Sequence, residues 1–212
     1  EPYRRQRQMC IRDRYPKLEG LDQEVGDKIN NEIKNCAMKT VDEIYNHPSE
    51  EFKEKILGTE NPVLSSYVTC KVTYANNEFI SIVIEDMGIK GDSADYYQEL
   101  RTLNIRLKDG KVYDVKEIVN LDDTFLNQWL SKMRGEAEDD QFLSELSRDQ
   151  MKSTLSGKNI DGNYKTVFFV SETGIEIGYS LDYASGDQND KGYAWVTAPF
   201  MFEEIAVHEK DG

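Results

Sequence analysis

The chain has three cysteines and two histidines in 212 residues, with no Cys-x-x-Cys and no His-Glu-x-x-His spacing. A metal centre or a Cys/His nucleophile pair would have to be assembled from scattered residues, so neither is expected, nor is any cofactor. Positive charge is the minority sign: 26 Lys and Arg stand against 40 Asp and Glu, a formal charge of −14. That balance disfavours a nucleic-acid backbone or an anionic lipid surface as partner and leaves cationic partners open. No stretch approaches the roughly 18 consecutive apolar residues of a membrane span. The first residues also lack the apolar run of a secretory signal. The sequence reads as a soluble protein, or as the soluble part of something longer. Its 38% of hydrophobic residues suffice for one substantial core or two small ones, which argues against disorder.

Arginine is unevenly spread. Arg4, Arg5, Arg7, Arg12 and Arg14 are five of the nine in the chain, and 1–14 shows neither helical nor strand periodicity. Setting these aside with Glu1 and Asp13 removes +3 and leaves −17 on the rest. A basic linker beside a membrane, a frayed terminus, and translated sequencing-adapter read-through, which Gln8–Arg14 resembles, are three origins that fit. The third is preferred, so 1–14 is expected to be a non-native or disordered tail, with the natural N-terminal part and any anchor missing.

From Leu21 the apolar residues Val25, Ile29, Ile33, Ala37, Val41 and Ile44 recur at i, i+4, which predicts one long amphipathic helix to about Tyr45. Ser49 with Glu50 and Glu51 starts a second, short helix that stops at Gly58. The period then changes to two. Val68, Cys70, Val72 and Tyr74 alternate with polar residues, as do Ile80, Ile82 and Ile84 after Asn76-Asn77, predicting a β-hairpin. A polar loop is expected over 88–97, then a strand through Leu103, Ile105 and Leu107 into an Asp109-Gly110 hairpin turn. Helices follow, one capped by Asp122 or Asp123 and carrying Phe125, Trp129 and Met133, the next carrying Phe142, Leu143, Leu146 and Leu155. A second strand block runs from Tyr164, turns at Thr173-Gly174, returns to Leu181, and resumes at Tyr193 after a polar loop from Ala184. A short amphipathic segment with Phe202 and Ile205 ends the chain. This order predicts an α+β fold with antiparallel hairpins rather than βαβ units.

Tyr15-Pro16-Lys17-Leu18-Glu19-Gly20-Leu21, the helix with Ile29-Asn30, the strand Ser81–Glu85, the run Thr102–Lys111, and Leu181-Asp182-Tyr183-Ala184 resemble, in that order, one family. It is the extracytoplasmic region of RsiV-type anti-sigma factors, a module pair also found beside the catalytic domain of PdaC-type peptidoglycan deacetylases. The resemblance spans about Tyr15 to His208 and implies a PdaC-like module over 15–138 and an RsiV-like module over 139–212. Two loops depart from the family pattern. Gly88–Tyr96 keeps the small residues of a Gly-Gly-Ala-His-Gly-like loop but lacks its His, and Ser185–Gly192 is longer and more polar than the Pro-containing family version. In the RsiV-type proteins this region binds lysozyme, and binding exposes the anti-sigma factor to proteolysis. The resemblance thus implies an extracytoplasmic bacterial sensor, secreted or held at the membrane only through a preceding anchor.

The expected function is accordingly non-catalytic: recognition of a basic cell-wall-associated protein such as lysozyme. The alternative is an accessory domain of a cell-wall enzyme that binds peptidoglycan or another glycan. The two polar loops carry the Gly, Ser, Asp and Tyr mix of adaptable interfaces, so Ser93, Asp95 and Tyr96 in the first and Tyr183, Asp187 and Tyr193 in the second are the expected contacts. Acidic pairs such as Glu85-Asp86 and Asp122-Asp123 are frequent by chance among 40 acids and read as solvated surface or helix caps. His47 and His208 read as solvated. In an exported protein a Cys36–Cys70 disulfide and two buried free thiols fit equally well.

Overall fold

The computed structural model describes residues 15–94, 96–137, 140–158, 164–181 and 194–210, together with the backbone of 11–13 and 183–184. Asp22 opens helix α1 (Gln23–Val41), its carboxylate accepting the amide protons of Glu24 and Val25 at 3.0 and 3.4 Å. The predicted ladder faces inward: Ile29, Ile33, Ala37 and Val41 are buried, each buried Ile contributing about 2 kcal/mol. The helix does not reach Tyr45 in regular form. It widens into a π turn, Asp42–Asn46, closed by the His47 amide on the Asp42 carbonyl at 2.7 Å, with Ile44 kept in the core. Helix α2 (Glu50–Gly58) follows, with Ser49 Oγ accepting the Phe52 amide at 3.1 Å.

The first sheet is an antiparallel meander of β2 (Val63–Ala75), β3 (Phe79–Gly91), β4 (Tyr96–Arg106) and β5 (Lys111–Val112). β1 (Ile11–Asp13), in the stretch expected to be a tail, pairs in parallel with Ser66–Val68. Gly110 has φ +64°, as the Asp-Gly turn requires. The expected loop over 88–97 is mostly strand. β3 runs on to Gly91 and β4 starts at Tyr96, so Gly88 lies opposite both Ser66 and Tyr97. A Cβ on Gly88 would stand 2.0 Å from the Ser65 carbonyl oxygen. Glycine permits the close approach of two strands here and does not mark a loop.

Four helices then lie between the strand blocks: α3 (Val115–Ile118), α4 (Asp123–Glu136), α5 (Gln141–Glu145) and α6 (Arg148–Leu155). Asp122 caps α4, accepting the Phe125 amide at 2.8 Å. The single helix expected from Phe142 to Leu155 is broken where Ser147 and Gln150 form a capping box. The second sheet, in the order β6 (Tyr164–Val170), β7 (Gly174–Leu181), β9 (Trp195–Met201), is antiparallel. β8 (Tyr183–Ala184) leaves it to pair with β4, and α7 (Phe202–Ala206) ends the fold.

Two large apolar cores result, with a small third cluster of Val83, Leu100 and Val167 between the sheets. One lies between α1 and the first sheet, with Ile29, Ile33, Val68, Ile82, Ile84 and Ile105. The other gathers α4 to α7 on the second sheet around Phe125, Trp129, Phe142, Tyr179 and Phe200, and begins at Val115. The sheets join through the third cluster and through polar side chains. Asn104 Nδ2 donates to the Phe168 carbonyl at 2.7 Å, while Ser81 Oγ and Thr102 Oγ1 accept the Val170 and Phe168 amides at 3.0 and 3.3 Å. β6 is an edge strand, and three of its outward backbone groups are thus satisfied by the neighbouring sheet. His208, expected in solvent, is only 5% exposed. An antiparallel bridge between Val119 and Glu209 draws the C-terminal segment inward, and the imidazole meets Gln128 Oε1 at 2.8 Å and the edge of Phe125.

Candidate protein-binding surface

Beyond the part of the first sheet covered by β6, the β3–β4 hairpin projects with its tight turn, and the register assembles a surface there. Arg12 lies opposite Tyr67, Tyr67 opposite Met87, Met87 opposite Gln98, and Gln98 opposite Tyr183, so five strands contribute one cross-sheet row. The next row adds Ser65, Ile89 and Tyr96. Successive side chains of a strand alternate faces, so Met87 and Ile89 share the face that carries Ser81 and Val83 further down β3. Tyr67 is 45% exposed, Met87, Ile89, Tyr96 and Gln98 are half-buried, and the Tyr96 hydroxyl donates to Met87 Sδ at 3.8 Å. Tyrosine and methionine are the side chains that interfaces favour, broad and adaptable at low entropic cost.

The turn itself is shaped by Asp92, whose Oδ1 accepts from Ser93 Oγ at 3.3 Å and from the Ala94 amide at 3.1 Å. Ser93 is exposed and Tyr96 begins β4. Of the expected contacts, Ser93 and Tyr96 thus sit together on the turn, and β8 places Tyr183 in the adjacent strand. Asp95, Asp187 and Tyr193 lie outside the described residues. What the sequence could not give was the pairing of β8 with β4, which brings the bases of the two loops side by side.

The hairpin is anchored by a buried charge cluster. Asp86, read from sequence as half of a solvated acidic pair, is fully buried. Its Oδ2 accepts from Arg101 Nη2 at 2.7 Å, and its Oδ1 from Ser66 Oγ and the Tyr97 hydroxyl at 2.9 and 2.8 Å. Arg101 Nη1 reaches Thr40 Oγ1 on α1 at 3.3 Å, while its buried Nε has no partner among the described residues. Burial, and then the Asp86 charge, push the Tyr97 hydroxyl far above its usual range, so it stays a donor. The signal for Asp86 was present: it continues the Ile80, Ile82, Ile84 alternation onto the helix-facing side. With its oxygens committed to these donors, Asp86 serves to hold the hairpin on α1.

Glu99, cross-strand from Asp86, joins three elements. Its Oε1 accepts from Lys165 Nζ of β6 at 2.9 Å and Lys39 Nζ of α1 at 3.4 Å, and Arg101 Nη1 stands 3.8 Å from Oε2. Burial works to raise its pKa, but Lys165, Lys39 and Arg101 outweigh it and hold the carboxyl below the usual range. Nearby, Lys90 Nζ lies 4.3 Å above the Tyr97 ring and 3.6 Å from Glu43.

Cys36 and Cys70 do not form a disulfide with each other, and both lie half-buried against the α1 core. Burial raises the Cys36 thiol above its ordinary value, which keeps it protonated and unreactive. Among the described residues no group of three or more His, Cys, Asp or Glu could hold a metal ion, and no helix is long and apolar enough to cross a membrane.

No family model and no curated protein matches the sequence. Solved structures do. The chain is similar to a DUF3298 family protein from Pseudomonas aeruginosa PAO1, with 11% identity over 90% of this chain and 82% of the other, at a TM-score of 0.51. It is also similar to a DUF3298 family member from Bacteroides fragilis NCTC 9343, with 12% identity over 92% and 81%, at a TM-score of 0.56. Likeness at this identity concerns the fold: the α+β order read from the sequence is the fold of DUF3298 proteins.

Proposed function

We propose that this domain is a non-catalytic extracytoplasmic recognition module whose partner is a basic, cell-wall-associated protein, lysozyme being the reference case. One observation carries the reading: the register that sets Tyr67, Met87, Gln98 and Tyr183 in a single row beside the Ser93–Tyr96 turn. The row offers flat aromatic and thioether contact on a rigid support, with adaptable polar groups from the turn around it. Electrostatics favours the same partner class. A formal charge of −14 attracts a cation at long range, raising an association rate that falls as salt screens it. Acidity alone gives no specificity, and the tyrosine row is what would supply it.

The test is titration calorimetry of the protein with hen-type lysozyme, at low and near-physiological salt, beside an equally basic unrelated protein. Saturable 1:1 binding that persists in salt and is absent from the control supports the reading. Binding reproduced by the control, or none, reduces the interaction to unspecific charge and removes the proposal.

A further inference from the structure

The opposite end of the first sheet carries a cleft of about 260 Å³, lined by Glu78, Phe79, Arg106, Tyr113 and Ile118. It lies ten residues down β3 from Ile89, roughly 33 Å at strand rise, so it is separate from the hairpin surface. It also falls on the seam between the two cores: Phe79 and Arg106 are cross-strand partners in the first sheet, while Phe79, Tyr113 and Ile118 pack against the second core. Small-ligand sites favour such seams.

Its walls are fixed. The Phe79 amide donates to Asn76 Oδ1 at 2.7 Å, and its carbonyl accepts the Asn76 amide at 3.0 Å. The Tyr113 amide donates to the Asn104 carbonyl at 2.9 Å. The Phe79 and Tyr113 rings are tilted by 56° with centroids 6.1 Å apart, two aromatic walls of one concavity. Asp109 grips Arg106 through Nε and Nη2, at 3.0 and 2.5 Å, which holds the guanidinium in place and depresses the Asp109 carboxyl to about 2. Nη1 is left without a partner among the described residues. The Glu78 carboxylate, likewise without one, supplies an acceptor to the same cleft. Lys111, 4.8 Å from the Tyr113 ring, is paired with Glu117 at 2.7 Å.

Local charge selects the ligand class. In a strongly acidic chain this cleft is lined by one charge of each sign, Glu78 and Arg106. An anion would meet Glu78 and a cation would meet Arg106. A neutral polyhydroxylated ring uses both groups, giving a hydroxyl proton to Glu78 and accepting from Nη1, while its apolar face covers an aromatic wall. We propose that this cleft is a saccharide subsite that takes one neutral pyranose ring. The guanidinium and both rings are held in position before binding, so only the exposed Glu78 side chain has to be ordered.

The experiment is an amide-resolved NMR titration of the protein with three methyl glycosides of one ring shape: methyl β-glucoside, methyl β-glucosaminide and methyl β-glucuronide. The neutral sugar is expected to shift the amides of Phe79, Tyr113 and Ile118 saturably, with a dissociation constant on the order of 1 mM for a ligand of this size. The two charged sugars should bind about tenfold more weakly. Tyr113→Ala should weaken the neutral sugar by about tenfold, as expected of losing one stacked face. Arg106→Gln, at a half-buried position and with the aromatic walls intact, should weaken it several-fold. Absence of shifts at the cleft, shifts confined to the 91–98 hairpin, or tighter binding of either charged sugar would overturn the proposal. It stands or falls separately from lysozyme binding, because no probe carries a protein surface.

Discussion

Replacing Arg101 with methionine keeps much of its volume and removes the counter-charge of a carboxylate that is wholly out of water. Asp86 is 0% exposed, the Arg101 side chain 8%, and their N–O separation is 2.7 Å. At an effective dielectric of about 20 a contact of that length is worth about 6 kcal/mol of attraction, most of which offsets the cost of taking both charges out of water. Asp86 alone keeps only the Ser66 and Tyr97 hydroxyls, neither of which carries charge. Arg101→Met should therefore cost about 3–5 kcal/mol, or about 6–20 °C in Tm for a chain of this length. The assay is urea unfolding followed by the fluorescence of Trp129, which is buried with its indole N–H on the Ile177 carbonyl at 3.0 Å. In a double-mutant cycle with Asp86→Asn, the two losses should overlap by about 2–3 kcal/mol, since the second substitution neutralises the charge that the first strands. A loss below about 1 kcal/mol for Arg101→Met, or strict additivity, would refute the argument that a buried ion pair anchors the hairpin.

Other consequences follow from single contacts. Glu99 has a folded-state pKa held below its unfolded one, so its contribution is fully present above the unfolded value of about 4.3 and is lost as pH falls through the folded value. Glu99→Gln should then destabilise by about 1 kcal/mol at pH 7 and converge on the parent protein in acid, measured by urea midpoints across pH; a difference that grows on acidification contradicts this. Ser81→Ala leaves the Val170 amide without its acceptor in a buried seam, costing about 1–3 kcal/mol and accelerating hydrogen exchange at that amide. Gly88→Ala should cost about 1–3 kcal/mol because the new methyl meets a backbone carbonyl, whereas Gly58→Ala, with nothing within 4 Å, should stay within about 0.5 kcal/mol in thermal melts.

The parts of the fold legible in the sequence are those where one periodicity acts alone. The i, i+4 row of α1, the alternation of Ile80, Ile82 and Ile84, the Asp109-Gly110 turn and the Asp122 cap each depend on neighbours within a few residues, and each is found near its predicted place. The hairpin end was misjudged because Gly88 and Gly91 look like loop punctuation, while the need for Gly88 is set by Ser65, a residue 23 positions away. His208 is drawn inward by a bridge to Val119, and no local pattern records such a pairing. The candidate surface divides in the same way. Ser93 and Tyr96 were legible as an adaptable polar turn, whereas Tyr67 and Met87 join it only through register, and Tyr183 only through the crossing of β8 to the first sheet. Asp86 is the instructive case, since its strand period placed it on the buried face while its charge made it read as surface.

The claim on which the functional account rests is that the hairpin end with β8 receives a basic protein, and amide hydrogen exchange with and without saturating hen-type lysozyme tests it most directly. The account predicts slowed exchange over 91–98 and at 183–184, with Tyr96→Ala weakening binding by about tenfold and leaving the unfolding midpoint nearly unchanged. Protection confined to the exposed face of α1 or to the cleft around Tyr113, or binding indifferent to Tyr96→Ala, would contradict it.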